Sequence, residues 1–205
     1  MSDSPLERHA GPITLTAGGV FAATHLVLFL VMDRSDLQAM LADPVFRVAN
    51  LAYAATFSGL MLALFAVYVR QARAAGTFGL VALCAAIVGT LSLGANMWFE
   101  GFASPWLAEV VPQVLTADKT TIWRIGYLSS YLLFAMGWVL FGLASLRARV
   151  FPAAVSVAIM VGGAIGFLAA SPPYGVALGA ALVWLGVWMT RTDRASRATA
   201  DFATR

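Results

Sequence analysis

Ser92, Asn96 and Glu100 stand at four-residue steps along one apolar stretch. On a helix that spacing puts them on one face, rising toward one end. Polar groups are costly against lipid, so such a stripe is expected to face a bundle interior or a wet cavity. Arg124, Tyr127, Tyr131, Phe134 and Trp138 follow steps of three and four, again a single helical face. Trp138 lies too deep for an interfacial belt, and two tyrosines in a buried stripe need partners for their hydroxyls. Segment 100–124 joins the two stripes. Facing each other, they would make an aromatic-lined pocket with a carboxyl at its mouth, and Trp98, Tyr53 and Phe57 fall toward the same side. Aromatic faces stabilise cations by roughly 0.5–2 kcal/mol each. An acid beside such a wall suits protonation of an alkene or epoxide and the holding of the resulting carbocation. Apolar surroundings favour the protonated carboxyl that a proton donor needs. Glu100 is therefore the candidate acid. The plainer alternative keeps Glu100 as a helix end among headgroups, beside an interfacial Trp98-Phe99 anchor, and the aromatic stripe as helix packing.

His25 and Asp33 are the candidate second polar groups for catalysis. His25 lies inside the first apolar stretch, with Asp33 two turns outward. An ionisable residue at that depth is a functional candidate, either as a base or as a ligand's hydrogen-bond partner; a packed neutral histidine is the alternative. Haem ligation is not expected, because the other histidine, His9, sits in the N-terminal tail. No metal site and no cofactor are expected. Cys84 is the single cysteine, and Asp33, Asp36 and Asp43 form no DDxxD or NSE-like cluster for a diphosphate-bound magnesium. HExxH, GxSxG and glycine-rich nucleotide loops are absent. Asn50 reads as a helix cap.

The elements that must carry these residues follow from the charges. The chain has 205 residues, 60% hydrophobic and 11% charged, with a mean hydropathy of +0.82. Soluble domains carry about 25% charged residues, so this composition excludes a soluble globular domain, and disorder with it. Asp, Glu, Lys and Arg are missing from 10–32, 48–69, 74–99, 125–146 and 150–190. About 20 apolar residues cross a bilayer core. Ser171-Pro172-Pro173 divides the last stretch, since proline interrupts a helix. The expected fold is all-α and polytopic, with six transmembrane helices at 14–32, 50–69, 77–99, 125–146, 151–170 and 174–190, arranged as three hairpins. Tails occupy 1–13 and 191–205. The first span reads as a retained helix rather than a signal peptide, because acids interrupt its n-region and no cleavage site follows.

Arginine and lysine set orientation. Nine lie on the side of the termini and four on the other, so both termini are expected in the cytoplasm. The net charges, +5 inside and −2 outside, account for the overall +3. These juxtamembrane arginines point to anionic lipid as a partner rather than nucleic acid. Gly162-x-x-x-Gly166 and Gly175-x-x-x-Gly179 let helix backbones approach closely, either within the last hairpin or in a homodimer through helices five and six. Gln38-Ala-Met-Leu-Ala-Asp43 is similar to Gln113-Val-Leu-Thr-Ala-Asp118, hinting at a parallel repeat of the first two hairpins. Pro105 to Pro112 is expected to form a short amphipathic helix on the outer surface, a candidate lid.

Read as whole segments, residues 50–190 resemble a group of actinobacterial six-helix integral membrane proteins. The resembling pieces are Trp98-Phe99-Glu100, Pro105-Trp106-Leu107-Ala108-Glu109, Gly137-Trp138-Val139-Leu140-Phe141-Gly142 and Arg147-Ala148-Arg149-Val150-Phe151-Pro152. That group implies a multi-pass protein of the bacterial cytoplasmic membrane and carries no activity over. In architecture alone, without a shared motif, the chain also looks like the small integral-membrane terpene cyclases of bacterial meroterpenoid pathways. The expected function is an enzyme acting on a hydrophobic, isoprenoid-type substrate by proton-initiated cyclisation or isomerisation. Glu100 would be the acid, with His25 or Asp33 as second group. Tyr53, Phe57, Asn96, Trp98, Tyr127, Tyr131, Phe134 and Trp138 would bind the substrate. The alternatives are an accessory or assembly subunit of a membrane complex and a small lipid-binding or transport protein.

Overall fold

The computed structural model describes residues 5–32, 35–168 and 172–203. Asp33, Arg34 and Ser171, on which parts of the sequence reading rest, lie outside these residues. All regular structure among the described residues is helical: α1 (Pro5–Val31), α2 (Leu37–Ala42), α3 (Pro44–Trp98), a π-helical turn (Phe99–Ala103), α4 (Ser104–Val110), α5 (Gln113–Thr116), α6 (Thr121–Ala148), α7 (Ala153–Ile165) with a 3-10 turn (Gly166–Leu168), and α8 (Val176–Ala203). Three continuous helical stretches are long and apolar enough to cross a membrane: Pro5–Val31, Pro44–Val110 and Thr121–Ala148. The outward faces are apolar too, with Leu30, Val48, Leu62, Leu91 and Ile125 each more than half exposed. Such helices and such a surface are those of a membrane-embedded protein.

α3 is two helices in one. Gly76 has φ 56° and ψ −150°, outside the helical region. A Cβ there would meet nothing within 4 Å, so the position requires glycine for its backbone conformation and not for packing. The limbs, 44–75 and 77–98, fold back on each other. A Cβ at Gly94 would lie 3.0 Å from Phe57 Cβ, and Asn50 Nδ2 donates to Glu100 O at 3.1 Å. The spans expected at 50–69 and 77–99 leave 70–76 for the turn. The helix runs on through 70–75 until it meets a residue that tolerates positive φ.

Six long segments thus form a closed ring: α8, α1, the two limbs of α3, α6 and α7. Close glycine approaches mark its interfaces. Gly18 meets Leu182 and the Gly179 carbonyl, Gly89 meets the Leu133 carbonyl, Gly163 meets Trp138, and Gly162 meets Leu178. Gly166 meets the Phe134 ring, Gly175 meets His25 and Gly179 meets Ala22. Each glycine of the two small-residue motifs is therefore in contact within the chain. Inside the ring runs a column of aromatics, edge-to-face except for the tilted Phe134–Trp138 pair, from Phe21 through His25, Tyr53, Phe57, Phe134 and Trp138 to Phe141.

One end of the ring carries Arg70 and Arg147. Arg70 pairs with Asp193, Arg147 lies over the Phe78 ring at 4.8 Å, and Gly11 abuts Thr190. The helices overrun the expected spans at this end. α1 begins at Pro5 rather than 14, and α8 continues to Ala203 rather than stopping near 190. Charge-free length marks what hydrocarbon tolerates, whereas backbone hydrogen bonding continues into the polar zone wherever residues such as Ala, Arg and Glu favour it.

Candidate functional site

The other end of the ring is roofed by short elements. Asp36 caps α2 by accepting from Ala39 N at 2.9 Å, and Asp43 caps α3 by accepting from Val45 N at 2.7 Å with Pro44 at the first turn. The cap of the long helix is thus Asp43, and Asn50 lies inside α3 as a cross-link to the second limb. Thr120 opens α6 by accepting from Trp123 N at 3.2 Å. Arg47 ties the roof together: Nε donates to Leu41 O at 2.6 Å and Nη2 pairs with Glu109 Oε1 at 2.9 Å. The helix expected between Pro105 and Pro112 exists as α4. The two similar Gln-to-Asp segments both form short helices, α2 and α5, and both line the space below.

That space is a cavity of about 510 Å³, within the ~300–1,000 Å³ of small-molecule sites. Tyr53, Tyr127, Tyr131, Phe46, Phe99 and Trp123 supply aromatic wall, and Leu28, Leu41, Leu107 and Leu115 aliphatic wall. Polar atoms are few and placed. Glu100 Oε2 accepts from Ser104 Oγ at 3.1 Å. Tyr131 Oη donates to Tyr127 Oη at 3.1 Å, which satisfies the buried hydroxyl. Lys119 Nζ donates to the carbonyls of Val114 and Leu115 at 2.9 and 3.0 Å and stands 5.8 Å from the Trp123 ring centroid. Asp118 also lines the wall, and among the described residues no arginine does. Among the described residues no three His, Cys, Asp or Glu side chains group as metal ligands.

The polar stripe of the second α3 limb does face the aromatic stripe of α6. Asn96 Nδ2 donates to Ser130 Oγ at 3.1 Å, and about two turns deeper Trp138 Nε1 donates to Thr90 Oγ1 at 3.1 Å. The cavity, however, is shallower than the stripes. Glu100, Tyr53, Tyr127 and Tyr131 reach it. Asn96 is used in the interhelical hydrogen bond, and Phe57, Phe134 and Trp138 are buried core beneath the floor. Trp98 points outward, 57% exposed and stacked on Phe102 at 4.2 Å.

His25 is sealed in behind the wall. Its ring lies edge-on to Phe21 and Tyr53, with centroids at 4.8 and 4.7 Å, and Gly175 closes over it. Neither ring nitrogen has a hydrogen-bond partner among the described residues. Asp33 lies outside the described residues. Ser104 and Lys119 are the site groups that the sequence reading passed over. A signal for Ser104 exists: it continues the stripe of Ser92, Asn96 and Glu100 by four more residues, past the π-helical turn at which the helix was expected to end. Comparison with protein-family models, with curated proteins and with solved structures finds no match to this chain.

Proposed function

We propose that the chain is a multi-pass protein of a bacterial cytoplasmic membrane, with six spans and both termini inside, and that it is an enzyme. Its substrate is a hydrophobic isoprenoid-type molecule, and its reaction is proton-initiated cyclisation or isomerisation. The clustering of arginine-bearing turns at one end of the ring supports the orientation. The observation that carries the activity is the Glu100 carboxyl, held by Ser104 in the wall of a roofed, aromatic-lined cavity. Glu100 would add its proton across a substrate C=C bond, whose electron pair forms the new C–H bond. Tyr53, Tyr127, Tyr131 and Trp123 would face the resulting cation. A second C=C bond closes the ring, or the skeleton simply relaxes, and a neighbouring proton returns to the carboxylate. The product is an isomer of the substrate, so no co-reactant is required. Glu100 and Asp118 on the wall, no arginine among its described residues, and a lysine already bonded to two carbonyls favour an uncharged polar end on the substrate over a diphosphate.

The test is incubation of the purified protein with polyprenylated substrates and their epoxides, comparing wild type with Glu100→Gln. Wild type is expected to give a product of unchanged mass, and the variant to lose about 10²-fold or more of the rate, the usual worth of a positioned acid. Absence of product from every substrate, or unchanged turnover in the variant, refutes the reading. A ligand bound but never converted would indicate a lipid-binding or transport protein; neither binding nor conversion would indicate an accessory subunit.

A further inference from the structure

A second cavity lies at the arginine end, at the turn between α6 and α7. It is an open depression of about 640 Å³ lined by Leu146, Arg147, Arg149, Phe151 and Ala153. Two exposed arginines thus border one basin, with no acidic residue among its described lining. Arg47 and Arg70 are held in salt bridges with Glu109 and Asp193, whereas among the described residues neither Arg147 nor Arg149 is neutralised that way. Arg147 is held in place against the Phe78 ring at 4.8 Å, an arrangement that orients a guanidinium while leaving its donors available. Arg149 occupies the left-handed position after α6, with φ 55° and ψ 24°. Glycine is the usual residue there, so an arginine is kept at a site where the backbone does not favour it. Phe151 is buried and packs edge-to-face on Trp188 at 5.9 Å, giving the basin a firm apolar side. Across it, α7 begins at Ala153 after Pro152, with no side-chain cap on its first amides.

We propose that this basin binds a phosphate group, with Arg147 and Arg149 donating to its oxygens. The apolar side formed by Leu146 and Phe151 suits the glycerol and first acyl carbons of an anionic lipid. Guanidinium groups match phosphate by paired N–H donors, and basic pockets between helices at the membrane surface are favoured places for such headgroups. The site is separate from the Glu100 cavity and stands or falls independently of the activity proposed above.

Native mass spectrometry of the full chain, released from micelles doped with phosphatidylglycerol or phosphatidylcholine, reads the site directly. Wild type is expected to retain phosphatidylglycerol preferentially. The double variant Arg147→Gln/Arg149→Gln should bind it about 30-fold more weakly, as expected for two surface arginines. A second double variant, Arg147→Lys/Arg149→Lys, keeps the charge and should recover only part of the affinity. A control, Arg191→Gln/Arg194→Gln, removes the same charge from exposed positions on α8 outside the basin and should leave binding near wild type. Displacement of the lipid by inorganic phosphate, but not by chloride at equal ionic strength, supports the site with free phosphate as its ligand. Retention against both supports it with the lipid headgroup as ligand. Unchanged retention in the glutamine variant, or an equal loss in the α8 control, overturns the proposal.

Discussion

Gly175→Ala should damage the bundle through His25, and the damage should be relieved by removing His25. A Cβ added at Gly175 would sit 1.9 Å from Nε2, 2.3 Å from Cδ2 and 2.4 Å from Cε1 of that ring. Ordinary contact begins near 3.4 Å, so ring and turn must separate by 1.5 Å. The ring has nowhere to go, because Phe21 and Tyr53 flank it at centroid distances of 4.8 and 4.7 Å and all three side chains are buried. Overpacking of this kind costs about 1–3 kcal/mol, and with a fixed ring on one side and backbone on the other the upper part of that range is expected. For a chain of this size each kcal/mol shifts Tm by roughly 2–4 °C. His25→Ala alone leaves a void and should cost about 2 kcal/mol. In the double variant the new methyl group occupies part of that void, so the two losses should fall short of additive by about 1–2 kcal/mol. Thermal unfolding of the four proteins in one detergent reads the cycle. A neutral Gly175→Ala, or additive losses, would refute the assignment of His25 as a side chain packed against this turn and wedged behind the cavity wall.

Gly89→Ala should be poorly tolerated, losing about 1–3 kcal/mol, because its Cβ would stand 2.2 Å from the Leu133 carbonyl. Gly101→Ala, whose nearest neighbours would be 3.6 Å away, should unfold within a degree or two of wild type; equal losses in the pair would contradict the packing described. Gly76→Ala should cost about 1–3 kcal/mol in thermal unfolding although its Cβ meets nothing, because φ 56° with ψ −150° is a backbone region that essentially only glycine adopts, and Gly76→Asn should cost as much, since asparagine tolerates the αL well, at ψ of about +47°, and not this one. In a Cys84→Ser background, a cysteine replacing Pro112 should react with impermeant thiol reagents from outside the cell and one replacing Ala148 should not; the reverse pattern would invert the proposed orientation.

Six long segments were legible in the sequence because hydrocarbon excludes charge. The gaps between charges therefore located every segment that Pro172 and Gly76 later separate. The ends were less legible, because helix propensity continues where hydrophobicity stops, as at Pro5 and beyond Arg191. Helical spacing correctly placed Asn96 opposite α6 and put Tyr127, Tyr131, Phe134 and Trp138 on one face. Spacing reports the face of a helix and not the depth at which a cavity gives way to core. For that reason Tyr127 and Tyr131 line the site while Phe134 and Trp138 lie beneath it. The roof carries the rest of the site, and its assembly depends on Arg47 reaching both Leu41 and Glu109, a contact across 62 residues that no local pattern encodes.

The position of the cavity follows from how one interface opens. Along α3 and α6 the backbones are closest where Gly137 meets the Ala85 carbonyl and Gly89 meets the Leu133 carbonyl. Toward the roof the next link is made by side chains, Asn96 to Ser130 at 3.1 Å. One turn further on, Glu100 and Tyr127 face the cavity instead of each other's backbone. On the opposite side of the ring, α1 and α8 remain tight from Gly11 against Thr190, through Gly186 against Leu15 and Gly18 against Leu182, up to Gly175 against His25. A bundle closed along one seam and splayed at one end of the other must leave a space at the splayed end. Here that space is lined with aromatic rings, covered by α2, α4 and α5, and holds the Glu100 carboxyl in its wall. The glycines thus bear on function indirectly: where they bring α3 and α6 into contact there is core, and where they stop there is room for a ligand.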